Sequence, residues 1–449
     1  MPMEPLDTLL AARWQMALSL GFHIIFACIG MVMPFFMAAA HRRWLRTGEV
    51  IYRELARRWA YGVAIFFAVG AVSGTVLSFE LGMLWPRFME IAGPIFGLPF
   101  ALEGTAFFLE AIALGLYLYG WDRLPPRVHW AAGVVVGIAG VFSGIFVVAA
   151  NAWMNSPAGF AWVNGQATDI DPVAAMFNAA WPWQALHMTL AAFVATGFAV
   201  AGLHAVLLLR RPGHPLHRAA LRIALPFAVV AAFLQPISGD LSARDVARRQ
   251  PEKLAAMEAL FETQTRAPLL IGGLPDVEAR EVRYALEVPG LLSFLAFGDV
   301  DAEVQGLEAF PRELWPPVVV THLAFQVMVG IGFFLMGVAL LYLWGRWKRP
   351  GWLDHPRFLR LLGLTMPLGF VAVEAGWVVT EVGRQPWIIY QILLTRDAVT
   401  TMPGIWVSLG IVVLVYVLLT VFLVWLMRRQ IRALHARPVS DFVTPPSAS

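Results

Sequence analysis

The sequence predicts an all-α polytopic membrane protein with nine transmembrane helices. Of its 449 residues, 59% are hydrophobic and 14% are charged, whereas charged residues make up roughly a quarter of a soluble domain. The apolar residues fall into separate blocks of about 20 residues or more, the length of helix that crosses the hydrocarbon core of a bilayer. The predicted spans are residues 14–40, 56–82, 95–120, 128–150, 181–209, 219–238, 316–345, 358–382 and 402–427.

The distribution of positive charge predicts the orientation of these spans. Arginine and lysine are concentrated around residues 42–58, 123–127, 210–222, 346–360 and 428–437, whereas the other short connections hold few cations. Cytoplasmic connections carry an excess of these residues. The N-terminus is therefore predicted to be periplasmic and the C-terminus cytoplasmic.

Four regions follow from this topology. Residues 1–238 hold helices 1–6, 239–315 form a periplasmic loop, 316–430 hold helices 7–9, and 431–449 form a cytoplasmic tail. Long loops without a domain of their own usually carry function or cover a site. The first apolar block is too long for the core of a cleavable signal peptide, so it is expected to be a transmembrane helix.

The single cysteine, Cys28, lies inside the first apolar block. One cysteine cannot form an internal disulfide. It also excludes iron–sulfur clusters bound by cysteines and zinc sites made only of cysteine. No C-x-x-C-H motif is present, so any haem is held without covalent attachment.

Four side chains in the spans are candidate ligands for a redox cofactor. By the predicted topology, His23, His187, Met328 and Glu374 lie on four different helices, in or near the outer half of the bilayer. Polar groups at such depth are costly and usually functional. Imidazole and thioether groups ligate iron, and a His/Met pair can hold a low-spin haem. A lone histidine or methionine is more often a packing residue, so the prediction depends on their common depth.

Two glutamates of the third span, Glu103 and Glu110, are seven residues apart. At 100° per residue they share one helix face and lie about 10 Å apart along the axis. Asp122 ends the same helix on the predicted inner side. The three carboxylates are interpreted as a proton route from the cytoplasm, with a buried structural network as the alternative.

Several short motifs, in this order along the chain, resemble subunit I of the cytochrome bd-type quinol oxidases over essentially the whole length. The matching segments are Ala17–His23, Ala101–Glu110, Gly120–Arg123, Ala150–Asn155, Lys253–Glu258, Val373–Trp377 and Gly383–Trp387. The resemblance implies an enzyme that oxidises quinol at the periplasmic side and reduces oxygen to water with cytoplasmic protons. Such an oxidase generates proton motive force without pumping.

The resemblance also implies three haems and their ligands. His187 and Met328 resemble the axial pair of a low-spin haem b. His23 resembles an axial ligand of one of the two other haems, and Glu374 a ligand or close partner of the remaining one. These two are a high-spin haem b and either haem d or a third haem b. Glu103 resembles a residue at the oxygen-reducing haem, and Glu110 is similar to a member of the family's proton channel.

The quinol site is implied by two further motifs. Lys253 and Glu258 match quinol-binding positions of the family's external loop, the Q-loop, which is residues 239–315 here. The family signature beside that site is matched by Gly383, Arg384, Gln385, Pro386 and Trp387. The short Q-loop and the stretch Phe325–Met328 resemble the cyanide-insensitive branch. Gln326 stands where better-known members have arginine, which predicts a different potential for the low-spin haem.

The implied partners are a similar-sized subunit II and, in some members, a single-span small subunit. The chain is expected to be a multi-pass protein of the bacterial inner membrane that contacts lipid, quinol and oxygen, with no nucleic-acid partner. The identity of the quinol, ubiquinol or menaquinol, stays open. Intramembrane carboxylates also occur in proton-coupled secondary transporters, and haem b alone would suit a membrane anchor of a quinone reductase. Both functions remain alternatives at this point.

Overall fold

The computed structural model describes residues 5–349 and 351–435, and helices dominate it. In chain order the helices are α1 (Pro5–Thr47), α2 (Val50–Leu84), α3 (Pro86–Tyr119), α4 (Pro126–Asn155), α5 (Pro172–Met176), α6 (Trp181–Arg210), α7 (Pro215–Arg249), α8 (Pro251–Glu258), α9 (Leu291–Phe297), α10 (Val318–Lys348), α11 (Pro356–Thr365), α12 (Leu368–Val382), α13 (Thr395–Ala398) and α14 (Ile405–His435).

Nine candidate membrane spans are present in the described part of the chain, which confirms the predicted number. Eight of them are single helices. The eighth in order, Pro356–Val382, combines α11 and α12. The break falls at Met366–Pro367, because proline has no N–H to continue the helical hydrogen bonds. Residues 436–449 of the predicted cytoplasmic tail lie outside the described residues.

Helix α7 continues well past residue 238, where its apolar block ends. The added turns are polar, and two ion pairs stabilise them, each between residues four positions apart in the helix. Arg244 contacts Asp240 at 2.8 Å, and Arg249 contacts Asp245 at 2.7 Å. The first part of the predicted Q-loop is therefore a rigid extension of a transmembrane helix.

Close helix contacts occur where small residues face each other. A Cβ placed on Gly197 of α6 would lie 2.7 Å from Cβ of Ala228 on α7, and one on Gly369 of α12 would lie 2.4 Å from Cα of Ala195 on α6. Packing of small residues is a main source of helix association in lipid. Helix α6 is accordingly the most deeply buried of the nine spans, whereas α14 is the most exposed.

Short strands are confined to the connections. They are β1 (Ala161–Val163), β2 (Gln166–Thr168), β3 (Gln264–Thr265), β4 (Leu269–Asp276), β5 (Glu281–Val288), β6 (Glu303–Val304), β7 (Trp387–Ile389) and β8 (Leu393–Leu394). They pair as four two-stranded antiparallel sheets. The longest pair, β4 with β5, forms a hairpin within the Q-loop and leaves β4 with one open edge.

Candidate functional site

The imidazole of His23 on α1 is fixed by a serine on α2. Its Nδ1 lies 2.9 Å from Oγ of Ser73, which is 3.0 Å from the carbonyl oxygen of Val69 and 3.1 Å from that of Gly70. The serine hydroxyl has one hydrogen. That hydrogen goes to one of the two carbonyls, so the hydroxyl accepts a hydrogen bond from Nδ1–H. Nε2 then keeps its lone pair, as an iron ligand requires.

His187 on α6 repeats this arrangement with α7. Its Nδ1 lies 3.0 Å from Oγ of Ser238, which donates to the carbonyl oxygen of Gln235 at 2.9 Å. The side-chain nitrogen of Gln235 lies 3.2 Å from Nε2 and 3.3 Å from Nδ1 of His187, so the tautomer is set by Ser238. Two histidines on separate helix pairs therefore present the same tautomer, with Nε2 as the electron-pair donor.

Both rings lie against a glycine of the neighbouring helix. A Cβ on Gly74 would lie 3.0 Å from Cε1 of His23, and one on Gly239 would lie 3.4 Å from Cε1 of His187. A side chain at the first of these positions would displace the ring, because protein interiors are close-packed. The glycines therefore help to set the positions of the two imidazoles.

Helix α12 carries Glu374 and packs against Met328. Oε2 of Glu374 would lie 3.2 Å from a Cβ on Gly21 of α1, two residues before His23. Sδ of Met328 on α10 would lie 3.0 Å from a Cβ on Gly376, two residues after Glu374. Oε1 of Glu374 is buried and has no hydrogen-bond partner among the described residues. Such an oxygen is costly to bury unless a cation, a metal or a proton satisfies it, so the donor set fits haem iron.

Glu103 and Glu110 both face α4, as their spacing predicts. Oγ of Ser143 donates to Oε1 of Glu103 at 3.2 Å. Oε1 of Glu110 would lie 3.3 Å from a Cβ on Gly140, about one turn from Ser143. Glu110 is only 5% exposed, so this pair forms a polar line through the α3–α4 interface.

Asp122, the third carboxylate of the predicted route, is paired with an arginine. Its two oxygens accept hydrogen bonds from Nη2 of Arg53 on α2 at 2.5 and 2.6 Å. Between Asp122 and Glu110 lies Tyr117, whose hydroxyl is 3.0 Å from Nδ1 of His41. Both of these residues are fully buried. The structure thus adds an ion pair and a buried polar pair to the predicted line of carboxylates.

Lys253 on α8 is buried among neutral acceptors. Its Nζ donates to Oδ1 of Asn155 at 3.0 Å, to Oε1 of Gln250 at 3.3 Å and to the carbonyl oxygen of Thr380 at 3.1 Å. Burial, with a smaller contribution from the Arg384 guanidinium, lowers the pKa of Lys253 to about 7. The amine can therefore change its charge near neutral pH.

Glu258 lies on another side of the same helix, because five residues rotate an α-helix by about 140° beyond a full turn. It is 4% exposed, and its Oε2 has no hydrogen-bond partner in the described part of the chain. Burial raises the pKa of Glu258 to about 8. The predicted quinol residues Lys253 and Glu258 are therefore two separate ionisable groups, and no described ion pair joins them.

The segment Gly383–Trp387 packs against α8. Cε of Lys253 would be 3.3 Å from a Cβ on Gly383. Arg384 is 3% exposed and donates from Nη2 to Oε2 of Glu381 at 2.5 Å, while its Nε and Nη1 have no partner among the described residues. Burial lowers the pKa of Arg384. A buried arginine with free donors suits an oxygen-bearing ligand.

The rest of this segment is held by hydrogen bonds. Oε1 of Gln385 accepts from Arg13 at 3.0 Å and from Oγ1 of Thr395 at 2.8 Å. The carbonyl oxygen of Pro386 accepts from the Thr395 N–H at 2.8 Å, and Trp387 begins β7. The two motifs that the sequence assigned to quinol thus meet in space, although 125 residues separate Glu258 from Gly383.

Several residues of these sites were not predicted from the sequence. Ser73 and Ser238 bind histidines of other helices, and Arg53 binds Asp122 in the turn after α3. Serine in an apolar helix usually bonds its own backbone. No local pattern reveals such a partner. Two other residues could have been found from the sequence. Asn155 is the last residue of the matched segment Ala150–Asn155, and Gln250 lies just before α8.

The chain matches the family model of cytochrome bd terminal oxidase subunit I over residues 11–435. It is 37% identical to a protein of Bacillus subtilis (strain 168) described as a candidate cytochrome bd menaquinol oxidase subunit I, over 94% of this chain and 96% of the relative. It is 29% identical to the cytochrome bd-II ubiquinol oxidase subunit 1 of Escherichia coli (strain K12), over 95% of this chain and 96% of the relative.

The fold is also that of a solved oxidase. The bd oxidase from Geobacillus thermodenitrificans superimposes with a TM-score of 0.91 at 40% identity, covering 96% of this chain and 100% of that chain. These matches decide against the transporter and against the haem-b anchor of a quinone reductase. The nine spans, the ordered motifs and the full-length matches together show that the chain belongs to the cytochrome bd terminal oxidase subunit I family.

Proposed function

We propose that this subunit of a terminal quinol oxidase oxidises quinol at the periplasmic face of the bacterial inner membrane and reduces oxygen to water with protons from the cytoplasm. The assignment of sides rests on the alternation of positive charge in the sequence. Because protons are released on one side and consumed from the other, the reaction generates proton motive force without pumping. The observation that carries the proposal is the repeated His–Ser arrangement at His23 and His187.

The proposed ligands follow from this arrangement. His187 and Met328 would hold a low-spin haem b. His23 would ligate one of two further haems, and Glu374 would ligate or adjoin the other. These are a high-spin haem b and haem d or a third haem b; when bound, the haems supply electron transfer and oxygen reduction. Ser73 and Ser238 fix the imidazole tautomers through Nδ1, which is the usual role of groups behind a metal ligand.

Quinol would bind where α8 meets Gly383–Trp387. Lys253, with its pKa lowered to about 7 by burial, exchanges a proton near neutral pH. Glu258, with its pKa raised to about 8 by burial, can take up or release a second proton in the same range. Arg384 offers two unpartnered N–H donors to a quinol oxygen. Together these side chains bind the head group and take its protons.

Protons for oxygen reduction would enter at Asp122 and pass along Glu110 to Glu103. All three residues belong to α3 or to the turn after it, and the two glutamates face α4. Carboxylates within a span are common members of proton relays.

The chain works in a complex with subunit II, and we expect a single-span small subunit as well. Lipid covers the remaining apolar surface. We place the chain in the cyanide-insensitive branch on the strength of its short Q-loop. The relatives are named as menaquinol or ubiquinol oxidases, so the test uses an analogue of each.

The first test is a reduced-minus-oxidised spectrum of the purified complex, with oxygen uptake driven by quinol analogues. Haem b bands with uptake are expected; a red-shifted chlorin band would add haem d. The absence of haem or of uptake would contradict the proposal.

For the proton route, Glu103→Gln should lower uptake about 100-fold or more, consistent with loss of a proton-transfer group. Glu303→Gln, at an exposed position, is the control, and full uptake by Glu103→Gln would overturn the route.

A further inference from the structure

The start of α10 makes two contacts with the Q-loop through one histidine. His322 is completely buried. Its Nδ1 lies 2.8 Å from the carbonyl oxygen of Met257, in the last turn of α8, and its Nε2 lies 3.1 Å from the carbonyl oxygen of Gly272 on β4. The ring therefore lies between the helix that carries Lys253 and Glu258 and the hairpin that follows it.

Both partners of this imidazole are acceptors. A carbonyl oxygen can only accept a hydrogen bond, and a neutral imidazole carries one N–H. The ring N–H of His322 therefore donates to one of the two carbonyl oxygens, and both oxygens lie within 3.1 Å of a ring nitrogen. The buried ring therefore joins α10 to the Q-loop.

Gln326, about one turn further along α10, binds the same strand. Its Oε1 accepts from the N–H of Gly272 at 3.0 Å, and its Nε2 donates to the carbonyl oxygen of Leu270 at 3.0 Å. Leu270 and Gly272 are two residues apart, so their groups point to one edge of β4. The glutamine amide thus pairs with the open edge of β4 as a neighbouring strand would. It satisfies a backbone N–H and a carbonyl oxygen that would lack a partner on an exposed edge.

This pairing gives a physical reason for glutamine at position 326. An arginine has five N–H donors and no acceptor, so it could not accept from the N–H of Gly272. Glutamine in place of the arginine of better-known members therefore coincides with a hydrogen-bond pattern that needs a donor and an acceptor on one side chain.

We propose that His322 and Gln326 are positioning residues that hold α8 and β4 on α10, and thereby fix the quinol site relative to the helix that carries Met328. This role rests on the proposed quinol site. Met257 precedes Glu258, and a Cβ on Gly383 would lie 3.2 Å from Cγ2 of Thr321, the residue before His322, and 3.3 Å from Cε of Lys253. The contacts of α10 therefore reach both quinol motifs.

Limited trypsin digestion of the purified complex tests the attachment directly. Arg280 and Arg283 of the hairpin have side chains that are 49% and 56% exposed, and cleavage there requires local opening. His322→Phe and Gln326→Met should each speed cleavage by about fivefold or more, because each removes hydrogen bonds that hold the hairpin on α10. The matched controls are His355→Phe, beyond the other end of α10, and Gln305→Met, at an exposed loop position. Cleavage of both variants at the rate of the controls would overturn the proposal.

Steady-state kinetics with a quinol analogue test the positioning. In both variants KM should rise about fivefold or more while kcat changes less than about twofold, and the haem spectrum should stay that of the wild type. Variants whose hairpin is loosened but whose KM is unchanged would overturn the link to the quinol site. Digestion does not depend on haem or turnover. A loosened hairpin in a complex without quinol oxidation would therefore contradict the proposed function and leave the attachment supported.

Discussion

The ligand region inside the helix bundle and the Q-loop region outside it both bury polar groups, but they position them differently. Inside the bundle, His23 and His187 each have one nitrogen fixed by a serine, and Glu374 keeps an oxygen without a partner among the described residues. In the Q-loop region, Lys253 and His322 donate to backbone carbonyls and neutral side chains, while Glu258 and Arg384 also keep atoms without a partner among the described residues.

The difference indicates how each region is built for its ligand. In the bundle, helix packing and glycine contacts position side chains whose free atoms suit a permanently bound cofactor. In the Q-loop region, hydrogen bonds join separate segments, and such bonds can open and close at low cost because their net worth is about 1 kcal/mol each. A substrate that enters and leaves needs the second arrangement, whereas a resident cofactor needs the first.

The largest expected effect is the loss of cofactor when a ligand in the bundle is removed. His187→Ala should remove one haem per complex and lower quinol-driven oxygen uptake below about 1% of wild type, because an axial ligand is lost. Haem extraction and the visible spectrum measure this. His355→Ala, outside the ligand region, should leave both unchanged. Full haem content in His187→Ala would show that haem binding in the bundle does not depend on His187.

A smaller effect is expected from the serine behind that ligand. Ser238→Ala removes the acceptor of Nδ1–H, and changes in such supporting groups typically weaken metal affinity about 10–100-fold. Haem loss to a haem-binding scavenger measures the change. Ser78→Ala is the control, since among the described residues the Ser78 hydroxyl donates to the carbonyl oxygen of Gly74 in its own helix. Equal rates of haem loss would contradict the shared role of the two serines.

In the Q-loop region the corresponding change should affect the substrate and spare the cofactor. Lys253→Met removes three hydrogen bonds and should raise the quinol KM about tenfold, with haem content unchanged. The only other lysine, the exposed Lys348, provides the control Lys348→Met. Loss of haem in Lys253→Met would show that the two regions are not independent.

The smallest effect concerns pH and stability. Burial raises the pKa of Glu258 to about 8 from an ordinary value of 4.5, so the folded state binds a proton that the unfolded state has lost between these values. The wild type therefore loses stability as pH rises from about 4.5 to 8. Glu258→Gln removes this loss of stability. The difference between the Tm of the variant and the Tm of the wild type should therefore be larger at pH 8 than at pH 5, by a few °C. Glu287→Gln, at an exposed position, should show no such difference; an equal offset at both pH values in Glu258→Gln would rule out a buried neutral carboxyl.

The sequence predicted the spans better than the connections. Apolar blocks of the required length mark all nine spans, but the polar turns of α7 after residue 238 carry no hydropathy signal, and their ion pairs became visible only in the structure. The spacing of Glu103 and Glu110 placed them correctly on one face. The roles of Ser73 and Ser238 depend on which helices pack together, and the pairing of Gln326 with β4 depends on a hairpin edge. Neither follows from local pattern.

The complete burial of Cys28 has a practical consequence for spectroscopy. Since it is the only cysteine of the chain, a thiol-reactive probe in water finds no accessible target in the folded subunit. A single cysteine introduced at Tyr284, a hairpin residue that is 91% exposed, would therefore carry one fluorophore or spin label without any change to the native thiol. Such a label would report the opening and closing of the hairpin during turnover.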